Sequence, residues 1–110
     1  MLPTIKEVEV KETAEHFPIF LLYIISTKCP ACEAFKESLK DIRNLHKDIP
    51  MRQINVFDAE DLAIELGVDA VPTVAIFSYG EYVGGGATSN KDAILALITH
   101  LKEADDELYR

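Results

Sequence analysis

The chain contains no tryptophan, so no indole can flank its cysteines, and it has only two of those, Cys29 and Cys32. At 110 residues it is long enough to bury a core of moderate size without disulfide or metal support. Positive charge is scarce: 11 Lys and Arg stand against 19 Asp and Glu, for a net charge of −8. That balance argues against nucleic acid or an anionic membrane as a partner, since either needs a basic surface. Long apolar runs are also missing. The strongest, Ile19 to Ile25, is too short to span a bilayer, and the charged Lys6-Glu7 region does not resemble a cleaved signal segment. No repeat or linker interrupts the chain. The expectation is one domain over residues 1–110, monomeric, cytoplasmic and free of membranes. No nicotinamide or flavin fingerprint is present, so no bound cofactor is expected and electrons must arrive through another protein or a small thiol.

What is present is Lys28-Cys29-Pro30-Ala31-Cys32, between the apolar run and a helix-like segment. On the first turn of a helix, residues three apart share a face, so the two sulfurs can form a reversible intramolecular disulfide. Unpaired N–H groups and the positive end of the helix dipole favour a thiolate at the first cysteine. Cys29 is therefore the expected nucleophile and Cys32 the resolving thiol. Pro30 suits an early helical position, because its missing N–H would be unpaired there and its φ is already helical. Ala31 adds neither charge nor bulk. Lys28 either favours the Cys29 thiolate or is a solvated surface lysine.

Other chemistries are open to the same pair. A structural disulfide across so short a loop gains little from closure. Zinc would need two further ligands, and His16, His46 and His100 have no motif spacing that brings one to the cysteines; two chains sharing their pairs could supply four thiolates. Tyr79 and Tyr82 are explained by strand packing, and Phe35 by the core.

Periodicity along the chain places the motif. Ile5 to Val10 alternates and predicts a short first strand; Lys11 to Phe17 predicts one or two helical turns ended by Pro18. Ile19 to Ile25 reads as a central strand covered on both faces. Phe35, Leu39, Ile42 and Leu45 lie on one stripe of a helix from about Pro30 to His46. Met51 to Phe57 predicts a second strand, and Asp58 a cap for a short helix that buries Leu62 and Leu66 and stops at Gly67. Val74, Ile76 and Phe77 mark the next strand, and Tyr82-Val83 returns after a turn at Ser78-Tyr79-Gly80-Glu81. Gly84-Gly85-Gly86 weakens that strand's end or lets a backbone or ligand approach. Ser89 or Asn90 caps a last helix with Ile94, Leu97, Ile98 and Leu101 inward, and the acidic tail from Glu103 frays. The expected class is α/β, with a mixed central sheet flanked by helices.

A second signal lies at Asp69-Ala70-Val71-Pro72-Thr73, directly before a strong strand. Together with Cys29-Pro30-Ala31-Cys32, the turn containing Gly80 and the glycines before the last helix, it resembles the thioredoxin and glutaredoxin superfamily over essentially the whole chain. The resemblance implies a thioredoxin-like fold, a cis Val71–Pro72 peptide beside the dithiol, backbone contacts from Val71 to an extended substrate segment, and Thr73 as part of that motif. It implies a thiol-disulfide oxidoreductase that reduces protein disulfides, supplied by a thioredoxin-reductase-like donor or by glutathione.

Two departures accompany the resemblance. Lys28 stands where thioredoxins usually have tryptophan, and Tyr23 where they commonly bury an aspartate, so water or another group must handle the Cys32 proton. Glutaredoxin-like features are the Cys-Pro-x-Cys form and the glycines; against them, Ala31 replaces a tyrosine and Thr88-Ser89-Asn90 replace an acidic pair. The thioredoxin-like cycle is favoured, with a glutathione-dependent oxidoreductase and a non-catalytic redox-sensitive binding module as the alternatives.

Overall fold

A computed structural model describes residues 2–84 and 90–108. The element order is α1 (Glu7–Glu15), β1 (Phe20–Ile25), α2 (Pro30–Leu45), β2 (Met51–Asn55), a 3₁₀ turn (Val56–Asp58), α3 (Glu60–Leu66), β3 (Thr73–Ser78), β4 (Glu81–Gly84) and α4 (Lys91–Leu108). The strands form one mixed sheet in the order β2-β1-β3-β4. β1 runs parallel to β2 and antiparallel to β3, and β3 and β4 form the hairpin.

Alternation along β1 divides the core. Leu21 and Tyr23 face α2 and α4, meeting Phe35, Leu39, Ile42, Ile94 and Ile98. Phe20, Leu22 and Ile24 face α1 and α3, meeting Val10, Ala14 and Leu62. A strand buried on both faces cannot alternate polar with apolar residues, which is why Ile19 to Ile25 reads as a continuous run.

The structure corrects four expectations. Ile5 to Val10 is not a strand: α1 starts at Glu7, and the only ladder contact there is an isolated bridge from Thr4 to Gln53. Val8 is 84% exposed, whereas Val10 and Ala14, four apart, are buried, so the period is helical. Leu45 is 66% exposed, and Cys32 takes its place in the α2 stripe. Asp58 does not cap α3. Ala59 holds that position without a side-chain bond, and the Leu62 N–H donates instead to Glu7 Oε2 at 2.9 Å, from another helix. Finally, α4 does not fray at Glu103 but continues through Leu108, where Tyr79 Oη donates to Asp105 Oδ1 at 2.7 Å.

Other ends follow their local chemistry. Gly67 closes α3 at φ 71°, a left-handed geometry that costs glycine nothing. Asn90 Oδ1 accepts the Ala93 N–H at 3.1 Å as the cap of α4. Gly85, Gly86, Thr88 and Ser89 lie outside the described residues.

Candidate active site

β1 delivers the chain to the dithiol through a tight turn. Lys28 adopts φ 55°, in the left-handed region, and swings the backbone so that Cys29 enters α2 as its N-cap, with Pro30 at the first helical position. The turn is tied to β2: Asn55 Nδ2 donates to Thr27 Oγ1 at 3.1 Å, while Asn55 Oδ1 accepts the Phe57 N–H at 2.9 Å.

Cys29 and Cys32 are joined as a disulfide, with Cα atoms 5.2 Å apart. They are not equivalent. Cys29 is partly exposed, and its sulfur accepts the Cys32 N–H at 3.0 Å; Cys32 is 5% exposed and packs within the α2 stripe. Behind it, Tyr23 Oη donates to the Cys32 carbonyl at 2.9 Å. Burial, and secondarily the charge of Glu33, push the Tyr23 phenol up to about 12, so it stays a neutral donor at ordinary pH.

The Val71–Pro72 peptide is cis, Pro72 is buried and Val71 half-buried. Register brings this segment to the dithiol's end of the sheet. Ile24 pairs with Thr73 in antiparallel sense, so the strand that ends before Cys29 lies beside the strand that begins after Pro72. Thr73, 1% exposed, donates through Oγ1 to the Ala70 carbonyl at 2.7 Å and ties the loop across Val71 and Pro72.

A cavity of about 940 Å³ opens on the other side of the dithiol, toward β2. Cys29, Cys32, Pro30 and Lys28 line one end, and Tyr23 and Gln53, paired across β1 and β2, form part of its wall. Val71, Pro72 and Thr73 lie outside it, on the β3 side. Ala31 and Pro30 are exposed. Lys28 is exposed too, and its ammonium has no hydrogen bond or ion pair among the described residues, so its visible contribution is the backbone turn.

Sequence reasoning missed the Thr27–Asn55 clasp and the wall residue Gln53. An Asn at a strand end, followed at once by a short turn, is the signal that could have found the first; nothing local marks the second. Among the described residues, no three His, Cys, Asp or Glu side chains gather to hold a metal ion. His46 is engaged elsewhere, by Lys102 Nζ at 3.0 Å.

The arrangement can perform thiol-disulfide exchange, and comparison with known proteins agrees. The family model for thioredoxin matches residues 4–100. Thioredoxin of Methanocaldococcus jannaschii is 32% identical over 74 residues, spanning 66% of this chain and 84% of its own. Thioredoxin of Bos taurus is 28% identical over 76 residues, spanning 69% of this chain and 72% of its own. Oxidised mitochondrial thioredoxin 3 from Saccharomyces cerevisiae, at 19% identity, has a TM-score of 0.81 over 90% of this chain and 94% of that one, a likeness of fold.

Proposed function

The chain belongs to the thioredoxin family and is a protein-disulfide oxidoreductase; from that premise we propose that its exchange runs through Cys29 as attacking thiolate and Cys32 as resolving thiol. The observation that carries this assignment is the inequality of the two sulfurs, one partly exposed at a helix start and facing an N–H, the other buried behind it. In the reduced protein, that N–H and the positive helix end favour charge on Cys29. Its thiolate attacks one sulfur of a partner disulfide, and the other partner sulfur leaves as a thiolate. Cys32 then loses its proton, attacks Cys29 and expels the second partner thiolate. Two electrons pass to the partner, and the Cys29–Cys32 disulfide remains.

Val71 offers backbone N–H and C=O to an extended partner segment, while Pro72 contributes shape and no competing donor. Lys28, Pro30, Ala31 and Thr73 set the local geometry. The proposed setting is a single monomeric domain over residues 1–110, reducing protein disulfides in the cytoplasm with no bound cofactor. Its proposed donor is a thioredoxin-reductase-like protein in preference to glutathione, because Ala31 and Thr88-Ser89-Asn90 depart from the glutaredoxin pattern.

Equilibration with glutathione, with mass detection of any Cys29–glutathione adduct, tests the cycle. A potential near about −270 mV without a persistent adduct supports it, and one near about −200 to −230 mV with a reactive adduct selects the glutathione-dependent enzyme. Cys29→Ser is expected to abolish insulin-disulfide reduction and Cys32→Ser to trap mixed disulfides. Equal labelling of the two single variants with no trapped partner would overturn the roles, and reversible oxidation without turnover would select the binding module.

A further inference from the structure

The cavity beside the dithiol belongs to a larger positive groove on an acidic molecule. A second cavity of about 350 Å³ adjoins it, sharing Arg43 and Asn44 in its lining. Among the described residues, six Lys and Arg line the two together, Lys28, Lys36, Lys40, Arg43, Lys47 and Arg52, with only two carboxylates, Glu33 and Glu37.

The helix period produces this segregation. Lys36, Lys40 and Arg43 follow one another at steps of four and three, a stripe adjacent to the buried one of Cys32, Phe35, Leu39 and Ile42, and Lys47 joins the second cavity's lining just past the helix end. The opposite flank of α2 points toward α4, where Asp41 is paired with Lys91 at 3.1 Å. Lys36 pairs with Glu33 at 2.9 Å, and Arg52 donates to the Met51 carbonyl at 2.8 Å. Lys40, Arg43 and Lys47 have no hydrogen-bond or ion-pair partner among the described residues.

We propose that this groove docks an acidic, extended polypeptide segment of the protein that exchanges disulfides with Cys29. It rests on the assignment of Cys29 as the exchanging thiol, because the groove's one reactive end is the dithiol. Charge complementarity names the occupant. From Lys36 to Leu45, where α2 ends, the helix covers about 14 Å at about 1.5 Å per residue, and Lys47 stands two residues beyond it. Carboxylates spread over that length require roughly five extended residues at about 3.3 Å each, more than a small thiol supplies. A nucleic acid is the wrong polyanion, since it would run past the groove onto a strongly acidic surface.

The test uses the full chain and two synthetic peptides of equal length, each with one intramolecular disulfide, flanked in one by five Asp or Glu and in the other by Ser and Gly. A molecule of net charge −8 repels the acidic peptide unless a local surface holds it, so the expected preference opposes the one that net charge gives. The acidic peptide should show kcat/KM higher by about tenfold at low salt, as three exposed ion pairs allow, carried by KM. Raising salt to about 0.5 M should erase the difference. The triple variant Lys40→Glu, Arg43→Glu, Lys47→Glu should lose it with kcat unchanged, while a charge-matched control at described residues outside the groove, Lys6→Glu, Lys11→Glu, Lys91→Glu, should keep most of it.

Equal kcat/KM for the two peptides, or a preference that survives the first triple variant, would overturn the groove. Two further readouts separate its failure from that of the exchange assignment. Hydroxyethyl disulfide, small and uncharged, reports Cys29 chemistry and should be reduced equally by all three proteins. A fluorescent acidic peptide without cysteine reports docking alone: salt-sensitive binding lost in the first triple variant supports the groove even where exchange fails, and no binding refutes it.

Discussion

Tyr23 donates its hydroxyl proton to the backbone carbonyl of Cys32 at 2.9 Å, from a side chain only 2% exposed. The carbonyl sits in the first turn of α2, where the helical ladder uses one lone pair and leaves the other to Tyr23. Thioredoxins commonly carry a buried carboxylate at this position, able to take a proton from the second cysteine. A phenol held near 12 by burial and by Glu33 cannot. Tyr23 therefore positions the Cys32 backbone, and the cavity beside the dithiol reaches both side chains.

Tyr23→Phe should cost about 1 kcal/mol of stability, the net worth of one buried hydrogen bond, in urea unfolding of the oxidised protein. The pH dependence of insulin reduction between pH 5 and 9 should keep its shape, because the phenol that is removed titrates well above that range. A shifted profile would show that the hydroxyl takes part in proton transfer. Raised in the fold, this phenol also makes stability fall as pH rises from 10 toward 12, and the Phe variant should lose that alkaline slope.

His46 supplies a second pH response, far from the sulfurs. Its Nδ1 meets Lys102 Nζ at 3.0 Å, and the same ammonium holds Asp48 at 2.9 Å. Burial, then the Lys102 charge, lower the His46 pKa, with Asp48 opposing them. A depressed histidine binds its proton more readily unfolded, so stability is full above pH 6.5 and falls as pH drops through the folded value. Asp48, itself held low chiefly by its hydrogen bond to Lys102, responds only below its ordinary value of 3.8. Thermal unfolding should show a lower Tm at pH 5.5 than at 7, and His46→Asn, which retains an acceptor but cannot titrate, should flatten that difference.

The parts of the fold legible in sequence are those in which local pattern and tertiary placement agree. Ile19 to Ile25 is apolar at every position and β1 is buried on both faces; Phe35, Leu39 and Ile42 keep helical period and α2 buries all three. Two cysteines at the start of that helix exposed the dithiol for the same reason. Ile5 to Val10 misled because an exposed Val8 imitated strand alternation, whereas the period of Val10 and Ala14 lay partly beyond the window. Glu7 capping α3 at Leu62 joins residues 55 apart, which no local pattern carries. The basic stripe of α2 is written in the sequence, but its position above the dithiol cavity depends on how the helix crosses the sheet.

Gly80 holds the β3–β4 turn against α1. Its φ is +88°, and a Cβ there would lie 2.6 Å from Glu15 Cγ and 3.2 Å from Glu15 Cα, the second a backbone atom that cannot swing away. Gly80→Ala is therefore strained twice and should destabilise by more than about 1 kcal/mol, read as a lower urea midpoint with unchanged slope. The turn follows β3 at the end remote from Pro72, so the folded variant should reduce insulin at the parental rate.

Thr73 offers a way to separate the shape of the Val71–Pro72 segment from the chemistry of the sulfurs. Its hydroxyl donates to the Ala70 carbonyl at 2.7 Å, closing the three-residue span that contains both residues, while its own backbone is paired opposite Ile24 in the sheet. Thr73→Val preserves volume and strand preference and removes only the donor. Ala70 is exposed, so water can satisfy its carbonyl, and the stability loss should stay within about 1 kcal/mol. If Val71 meets the partner chain as proposed, the freed segment should present it less consistently, and the cost should fall on binding rather than on exchange at the dithiol. The expected outcome is a raised KM for insulin, an unchanged kcat, and an unchanged rate with hydroxyethyl disulfide, which is too small to use the backbone of Val71. A loss shared equally by the two substrates would mean that Thr73 acts on the dithiol itself, and Val71 would then have no separate part in recognition.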